Sequence, residues 1–354
     1  MRRQRSTRFR LGVLIGGIGL LALLFAQLGP GRILSLLSSL GVNFLVIVVL
    51  FGCHESVRAL AVSRCLPSGQ RPRFRRLLRI RFLGEAIGTL TRTGSFGAEP
   101  TRAWMLASHT GPGAHAYAAA VAELIANSGT SAFVTVVVAG IVLLRADIHG
   151  PLRVLCHVLW WSSLVYVSAA VVALAARIYL IGAVLRGIGA LPLVGRRLKT
   201  DPVRVRAVED AIIHALTDRP LALIQILFLE LIAQSILVFE IYWTVGSMGY
   251  GMTFGKALFV EVSTKAANVI QFVGITEAAY AVVFNWLGMT AAVGFALSLV
   301  KLLRSLTAAA AGLTILAQID RVRMTAADRA ERLRRSLPPG RERPYAKTAR
   351  STTP

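Results

Sequence analysis

Gly84-Glu85-Ala86-Ile87-Gly88-Thr89-Leu90-Thr91-Arg92-Thr93-Gly94-Ser95-Phe96-Gly97-Ala98-Glu99-Pro100-Thr101-Arg102, continuing through Trp104 to Ser108, constrains the architecture of this chain more than any other segment. It is too polar for a simple membrane span and too apolar for an exposed loop. Gly88, Gly94, Gly97 and Pro100 punctuate it, and these are the residue types that interrupt regular structure. Glu85, Arg92, Glu99 and Arg102 sit inside it. Irregular backbone at membrane depth is tolerated only where protein covers it or a water-filled cavity lines it, because peptide groups in hydrocarbon have no water to bond. A re-entrant hairpin or a broken helix pair satisfies those limits.

That reading requires a membrane, and the flanking sequence supplies one. The 354 residues are 55% hydrophobic and 16% charged, with mean hydropathy +0.62, whereas a soluble domain is about 25% charged. The apolar residues fall in blocks at Leu11 to Leu28, Leu45 to Gly52, Ala114 to Leu144, Val154 to Ala176, Leu221 to Gly246 and Ala291 to Gln318. Several reach the roughly 20 residues that cross a hydrocarbon core of about 30 Å. The formal charge of +23 lies between the blocks. Arginine is concentrated in residues 1–10, in the segment from Arg64 to Arg81, in the segment from Arg177 to Arg206, and again from Arg321 to Arg350. The intervening connections carry little charge. Lys and Arg in short loops mark the cytoplasmic face, so both termini are expected there. Basic loops of this kind meet an anionic lipid surface, and nucleic acid is not expected as a partner. Residues 11–28 resemble a signal peptide but end in Gln27-Leu28-Gly29-Pro30 without a small-x-small cleavage site, so an uncleaved first span is expected.

Cys53, Cys65 and Cys156 lie in or beside apolar segments without metal-site or disulfide spacing and read as packing residues. His109 and His115 flank Gly111-Pro112-Gly113 and read as loop residues at a boundary. No metal, no cofactor and no catalytic constellation is expected, since the chain has no phosphate-binding loop and no nucleophile elbow.

A turn-rich break at Pro67-Ser68-Gly69-Gln70 precedes Arg73 to Leu83, where Arg alternates with large apolar side chains. That segment fits either a helix lying along an anionic membrane surface or a cytoplasmic helix that merely follows the charge rule. Residues 254–288 repeat the character of residues 84–108, with Glu261, Lys265, Asn268, Gln271, Gly274 and Glu277 set in apolar sequence. Laid over each other at about half the chain length, Phe96-Gly97-Ala98-Glu99 falls near Val273-Gly274-Ile275-Thr276-Glu277, and the helix carrying Glu123 falls on the one carrying Lys301. Three spans separate the two stretches, and an odd number of crossings gives an inverted repeat. The fold class is therefore an all-α, polytopic transmembrane bundle of six spans with two broken or re-entrant helical hairpins. The expected organisation is a basic cytoplasmic N-terminus at 1–10, one transmembrane domain at 11–318 with repeat halves near 70–145 and 250–320, and a disordered basic tail at 319–354.

An ionised side chain at the centre of a span costs roughly 2.5–3.5 kcal/mol on insertion scales, so the charges inside the blocks call for partners. Glu123 lies near a midplane position, Glu230 and Glu240 share one helix, and Lys301 and Arg304 share the last. Glu230 and Glu240 read first as register-fixing pairs. His54, Glu55 and Arg58 read first as side chains snorkelling at a cytoplasmic helix end. Glu99, Arg102, Lys265 and Glu277 combine charge with glycine-broken backbone and read as functional.

These residues resemble the flippase-like membrane domain of the lysylphosphatidylglycerol synthase family, which includes hopanoid-associated bacterial membrane proteins. The resemblance rests on Arg79-Ile80-Arg81-Phe82-Leu83-Gly84-Glu85, on Gly97-Ala98-Glu99-Pro100-Thr101-Arg102, and on Gly274-Ile275-Thr276-Glu277 followed by Lys301 and Arg304. It spans about Leu11 to Gln318. The family's Asn shortly after the first Gly-Glu is missing here, and Ala98 stands for its second glycine. The resemblance implies movement of a lipid between leaflets, with aminoacylation done by a separate soluble domain. With a short basic tail here, synthase activity is not expected.

The expected function is thus a lipid flippase or lipid-transport protein with a groove formed by Glu85, Arg92, Glu99, Arg102, Glu123, Lys265, Glu277, Lys301 and Arg304. A non-transporting accessory protein of a lipid- or hopanoid-synthesising enzyme is the alternative, and a membrane-embedded transferase is third.

Overall fold

The computed structural model describes residues 38–91, 94–110, 114–145, 149–179, 202–270 and 275–336, together with residues 31 and 35. Among the described residues the regular structure is entirely helical. The helices are α1 (Asn43–Cys65), α2 (Phe74–Leu90), α3 (Ser95–Thr110), α4 (Ala114–Arg145), α5 (Pro151–Ala175), α6 (Pro202–Thr217), α7 (Pro220–Ser247), α8 (Phe254–Ile270), α9 (Ile275–Trp286) and α10 (Ala291–Ser336). Five are long and apolar enough to cross a membrane: α1, α4, α5, α7 and residues 291–312 of α10. They coincide with five of the six blocks read as spans; the first, Leu11 to Leu28, lies outside the described residues.

Local chemistry sets the boundaries. Leu66 is extended at ψ 147° because the following Pro67 excludes the helical conformation, so α1 ends at Cys65. Pro151 and Pro220 open α5 and α7, where the missing N–H has no intrahelical partner to lose. At the α6–α7 corner Asp218 accepts bonds from the Thr217 hydroxyl, from His214 Nδ1 and from Arg177 Nη2. The Thr217 and His214 bonds hold its carboxyl below the usual range.

Residues 74–110 and 254–286 are both pairs of short helices packed on each other, α2 with α3 and α8 with α9. In the first pair the chain turns at Gly94, whose φ of +53° favours glycine. Gly94 N–H donates to Gly88 O at 3.1 Å, and Gly94 O accepts from Gly97 and Ala98 N–H, so the turn bonds its own backbone. A Cβ on Gly88 would stand 2.7 Å from Gly94 O, which accounts for glycine at both ends of the turn.

Two apolar clusters occupy opposite ends of the spans. One gathers Ile47 of α1, Val138 of α4 and Val238 to Val245 of α7 with Phe259 of α8, Tyr280 and Phe284 of α9 and Leu297 of α10. The other gathers Ala59 to Cys65 of α1, Leu77 and Ile80 of α2, Leu106 of α3, Ala116 to Ala126 of α4, Ile212 of α6 and Ile226 of α7. The α2–α3 pair therefore packs at one end of the spans and the α8–α9 pair at the other. Helix α10 approaches α2 closely at Gly312, where a Cβ would stand 2.6 Å from Phe82 O. Helix α5 is peripheral: of its residues only Cys156 and Ala173 are buried, and Val154, Val158, Trp161 and Val165 face outward as a lipid-facing surface.

One sequence reading needs correction. Arg73 to Leu83 does not lie flat on a surface as a whole, because Leu77, Ile80, Arg81 and Leu83 are buried in the bundle while Arg73, Arg75, Arg76 and Arg79 remain exposed. Helix α10 includes residues 319–336. From residue 313 to Ser336 this helix belongs to a second unit. The Thr325 to Ser336 stretch is rich in Ala and Arg, with Asp328/Arg332 and Glu331/Arg335 at the i,i+4 spacing that supports a helix.

Candidate functional site: a belt of buried ion pairs

Between the two apolar clusters the spans carry charge. His54 is the middle residue of the 23-residue α1, and Ala233 and Gln234 are the central pair of the 28-residue α7. These midpoints meet: His54 Nδ1 lies 3.0 Å from Ala233 O, and since a carbonyl only accepts, the ring nitrogen carries the proton.

Around this crossing lies the first group of charges. Arg81 of α2 donates from Nε to Glu55 Oε2 of α1 at 2.7 Å and from Nη1 to Glu123 Oε1 of α4 at 3.0 Å. Arg58 of α1 donates from Nε to the same Glu123 oxygen at 2.9 Å, and its Nη2 is 2.6 Å away from it. Arg102 of α3 bonds Glu99 at 2.5 Å and Glu85 at 3.3 Å, and its Nη2 is 3.8 Å from Glu55. Glu230 of α7 is fully buried and lies 3.7 Å from Arg58 Nε. Five carboxylates thus surround three guanidiniums.

The second group adjoins it. Lys301 Nζ donates to Glu261 Oε2 at 3.0 Å and stands 5.3 Å from the centre of the Tyr280 ring. Arg304 bonds Glu240 and lies 4.1 Å over the Phe51 ring, a cation–π contact one helical turn from Glu55. Lys265 Nζ donates to Ser131 Oγ at 2.6 Å and to Gln234 Oε1, while Gln234 Nε2 donates to Asn127 Oδ1 at 3.3 Å. Here three cations face two carboxylates, the opposite balance to the first group. Arg304 is also within electrostatic reach of Glu85, so the groups form one belt across α1 and α7.

Pairing offsets the desolvation cost of charges inside hydrocarbon, and no cation or carboxylate of the belt stands far from an opposite charge. The belt is most open at the α2–α3 pair, where the Glu85 side chain is 22% and the Glu99 side chain 13% exposed. Beneath them is a cavity of about 20 Å³ lined by Arg81, Glu99, Arg102 and Glu123.

Of the residues singled out in the sequence, Glu85, Glu99, Arg102 and Glu123 come together in the first group, and Lys265, Lys301 and Arg304 in the second. Glu277 is buried in the first turn of α9. Arg92 lies outside the described residues. His54, Glu55 and Arg58 do not snorkel at a helix end; all three are buried at the centre of α1. The signal for Arg81 was present in the helical spacing of Leu77, Ile80, Arg81, Gly84 and Gly88, which puts the arginine on the buried face.

A family described as the lysylphosphatidylglycerol synthase TM region matches this chain over residues 9–323. No curated protein and no solved structure matches it.

Proposed function

We propose that this chain, which belongs to the family of the lysylphosphatidylglycerol synthase TM region, moves a lipid with a polar or anionic headgroup between the leaflets of a bacterial inner membrane. The observation that supports it is the belt of ion pairs at the midpoints of α1 and α7, open on one side at Glu85 and Glu99. Charge at this depth is costly and marks transport paths by default. The two hairpins enter from opposite faces as an inverted repeat, a reading favoured by their packing at opposite ends of the spans. The headgroup travels along the belt while the acyl or polycyclic part stays in lipid. Arg92, Arg102, Lys265, Lys301 and Arg304 serve an anionic headgroup, most favourably at the second group, where cations exceed carboxylates. Glu99, Glu123 and Glu277 balance charge or accept hydrogen bonds from sugar or amine groups. Both termini are cytoplasmic.

The test is reconstitution of the purified protein in liposomes with a fluorescent phospholipid, glycolipid or hopanoid, followed by chemical quenching of the outer leaflet. Protein-dependent loss of the protected fraction is expected, and an unchanged protected fraction for every lipid class would overturn transport.

A second reading is favoured by the exposed arginines at the start of α2, Arg73 at its cap and Arg75, Arg76 and Arg79 within it, which suit the docking of a lipid- or hopanoid-synthesising enzyme. An accessory protein of that kind moves no lipid alone, and its deletion changes lipid composition only in cells that contain the enzyme.

A further inference from the structure

We infer that Glu230, set against Glu123 and Arg58, is a proton-binding site that couples the movement of lipid to the transmembrane proton gradient. The coupling rests on the lipid movement proposed above; the proton site does not.

The argument begins with an unmet bond. Glu230 has no exposed surface, and neither of its carboxylate oxygens has a hydrogen-bond partner. Its ionic contact with Arg58 Nε, at 3.7 Å, is beyond hydrogen-bond range, because that N–H is given to Glu123. Yet Glu230 and Glu123 converge on the same Arg58 Nε, Glu230 at 3.7 Å and Glu123 at 2.9 Å. Two ionised carboxylates have no hydrogen to place between them, whereas a neutral Glu230 has an O–H that donates to Glu123. One proton therefore satisfies the buried oxygen and reduces the surplus of negative charge in a group with five carboxylates and three guanidiniums. The proton adds to a carboxylate oxygen, with no other bond changed and no electron moved.

The surroundings can change that proton's occupancy. The charged or titratable groups facing Glu230 are Arg58 of α1, Arg81 of α2, Glu123 of α4 and Lys265 of α8, with Cys65 at the end of α1. His54 of α1 is committed to Ala233 O, one turn along α7 from Glu230. Glu209, Asp210 and His214 of α6 face other cavities. Glu123 accepts from both Arg58 and Arg81, and Arg81 is shared with Glu55, which Arg102 also approaches. A lipid headgroup that draws Arg102 away from Glu99 and Glu85 thus redistributes charge through Arg81 to Glu123, and changes how firmly Glu230 holds its proton. The cavity between Glu99 and Glu123 has about 20 Å³. That is room for one water with several polar partners, enough to carry a proton from the partly open Glu99 inward.

Infrared difference spectroscopy of the purified protein in lipid, stepped in pH, tests the site without any transport. The C=O stretch of a protonated carboxylic acid is expected in the wild type near neutral pH, absent in Glu230→Gln and displaced in Glu230→Asp. If Glu230→Gln does not fold, the Glu230→Asp displacement alone decides the assignment. Absence of the band in the wild type, or its persistence unmoved in the variants, overturns it. In liposomes with an imposed pH gradient, wild-type lipid movement is expected to change severalfold with the gradient and Glu230→Gln to ignore it. A wild type whose transport is indifferent to the gradient ends the coupling. A wild type that moves no lipid ends the transport reading while the infrared band still stands or falls separately.

Discussion

Arg102 crosses the bare Cα of Gly84 so closely that a Cβ there would stand 2.6 Å from its Nε and 3.0 Å from its Cδ. The glycine of α2 is thereby a passage for the α3 guanidinium, which reaches Glu85, Glu99 and the edge of Glu55 across it.

Gly84→Ala is accordingly expected to push Arg102 off its carboxylates. Overpacking a filled site costs typically 1–3 kcal/mol, about the fall in stability expected in a thermal melt of the purified protein. In an Arg102→Ala background the same substitution meets no side chain and is expected to cost much less. Equal costs in the two backgrounds would show that Gly84 acts through something other than Arg102.

Arg81 offers a sharper contrast with its neighbour. Arg81→Ala leaves Glu55 and Glu123 short of a partner in the bundle interior, a loss of about 3–5 kcal/mol, whereas Arg79 is exposed and its removal is expected to change stability little. Expression level and melting temperature of the two variants, prepared side by side, check this. Equal behaviour would mean that Arg81 is not buried as described.

Glu99→Gln and Glu277→Gln keep volume and hydrogen-bonding capacity while removing charge. Both variants are expected to reach the membrane in normal amount and to fail in the liposome lipid-translocation assay. Normal translocation by both removes these carboxylates from the proposed path, and poor expression of either assigns that residue to folding.

Topology can be read with single cysteines at positions 97 and 274. Cys65 and Cys156 are buried and Cys53 is exposed, so Cys53 is the native thiol whose removal matters most for the background. An impermeant thiol reagent is expected to label the two sites from opposite faces, and reporters fused to the two ends are expected to give cytoplasmic signals. Labelling of both cysteines from one face would end the inverted-repeat reading.

Much of the architecture was legible before any coordinates. A membrane span needs a run of apolar residues, and a break needs glycine or proline; both are local properties. Hydropathy therefore marked α1, α4, α5, α7 and α10, and the glycines marked the interruption that the structure places between Leu90 and Ser95. The same locality explains an error. Glu55 and Arg58 looked like a helix-end pair because the apolar run before them is uninterrupted, whereas the centre of α1 depends on where the chain turns at Gly41 and Pro67.

Amino-acid order alone was sufficient for the helical membrane class, the positions of the spans and the two interrupted regions, since each follows from the transfer energy and backbone freedom of neighbouring residues. The partner of each charge was not written there. Arg58 meets Glu123 across 65 positions, Arg81 meets Glu123 across 42 and Arg304 meets Glu240 across 64. Ion pairing depends on distance in space, and opposite charges are interchangeable until packing chooses among them. The crossing of α1 with α7 and the glycine at position 84 made that choice, and with it joined scattered charges into one belt and left Glu230 without a hydrogen-bond donor.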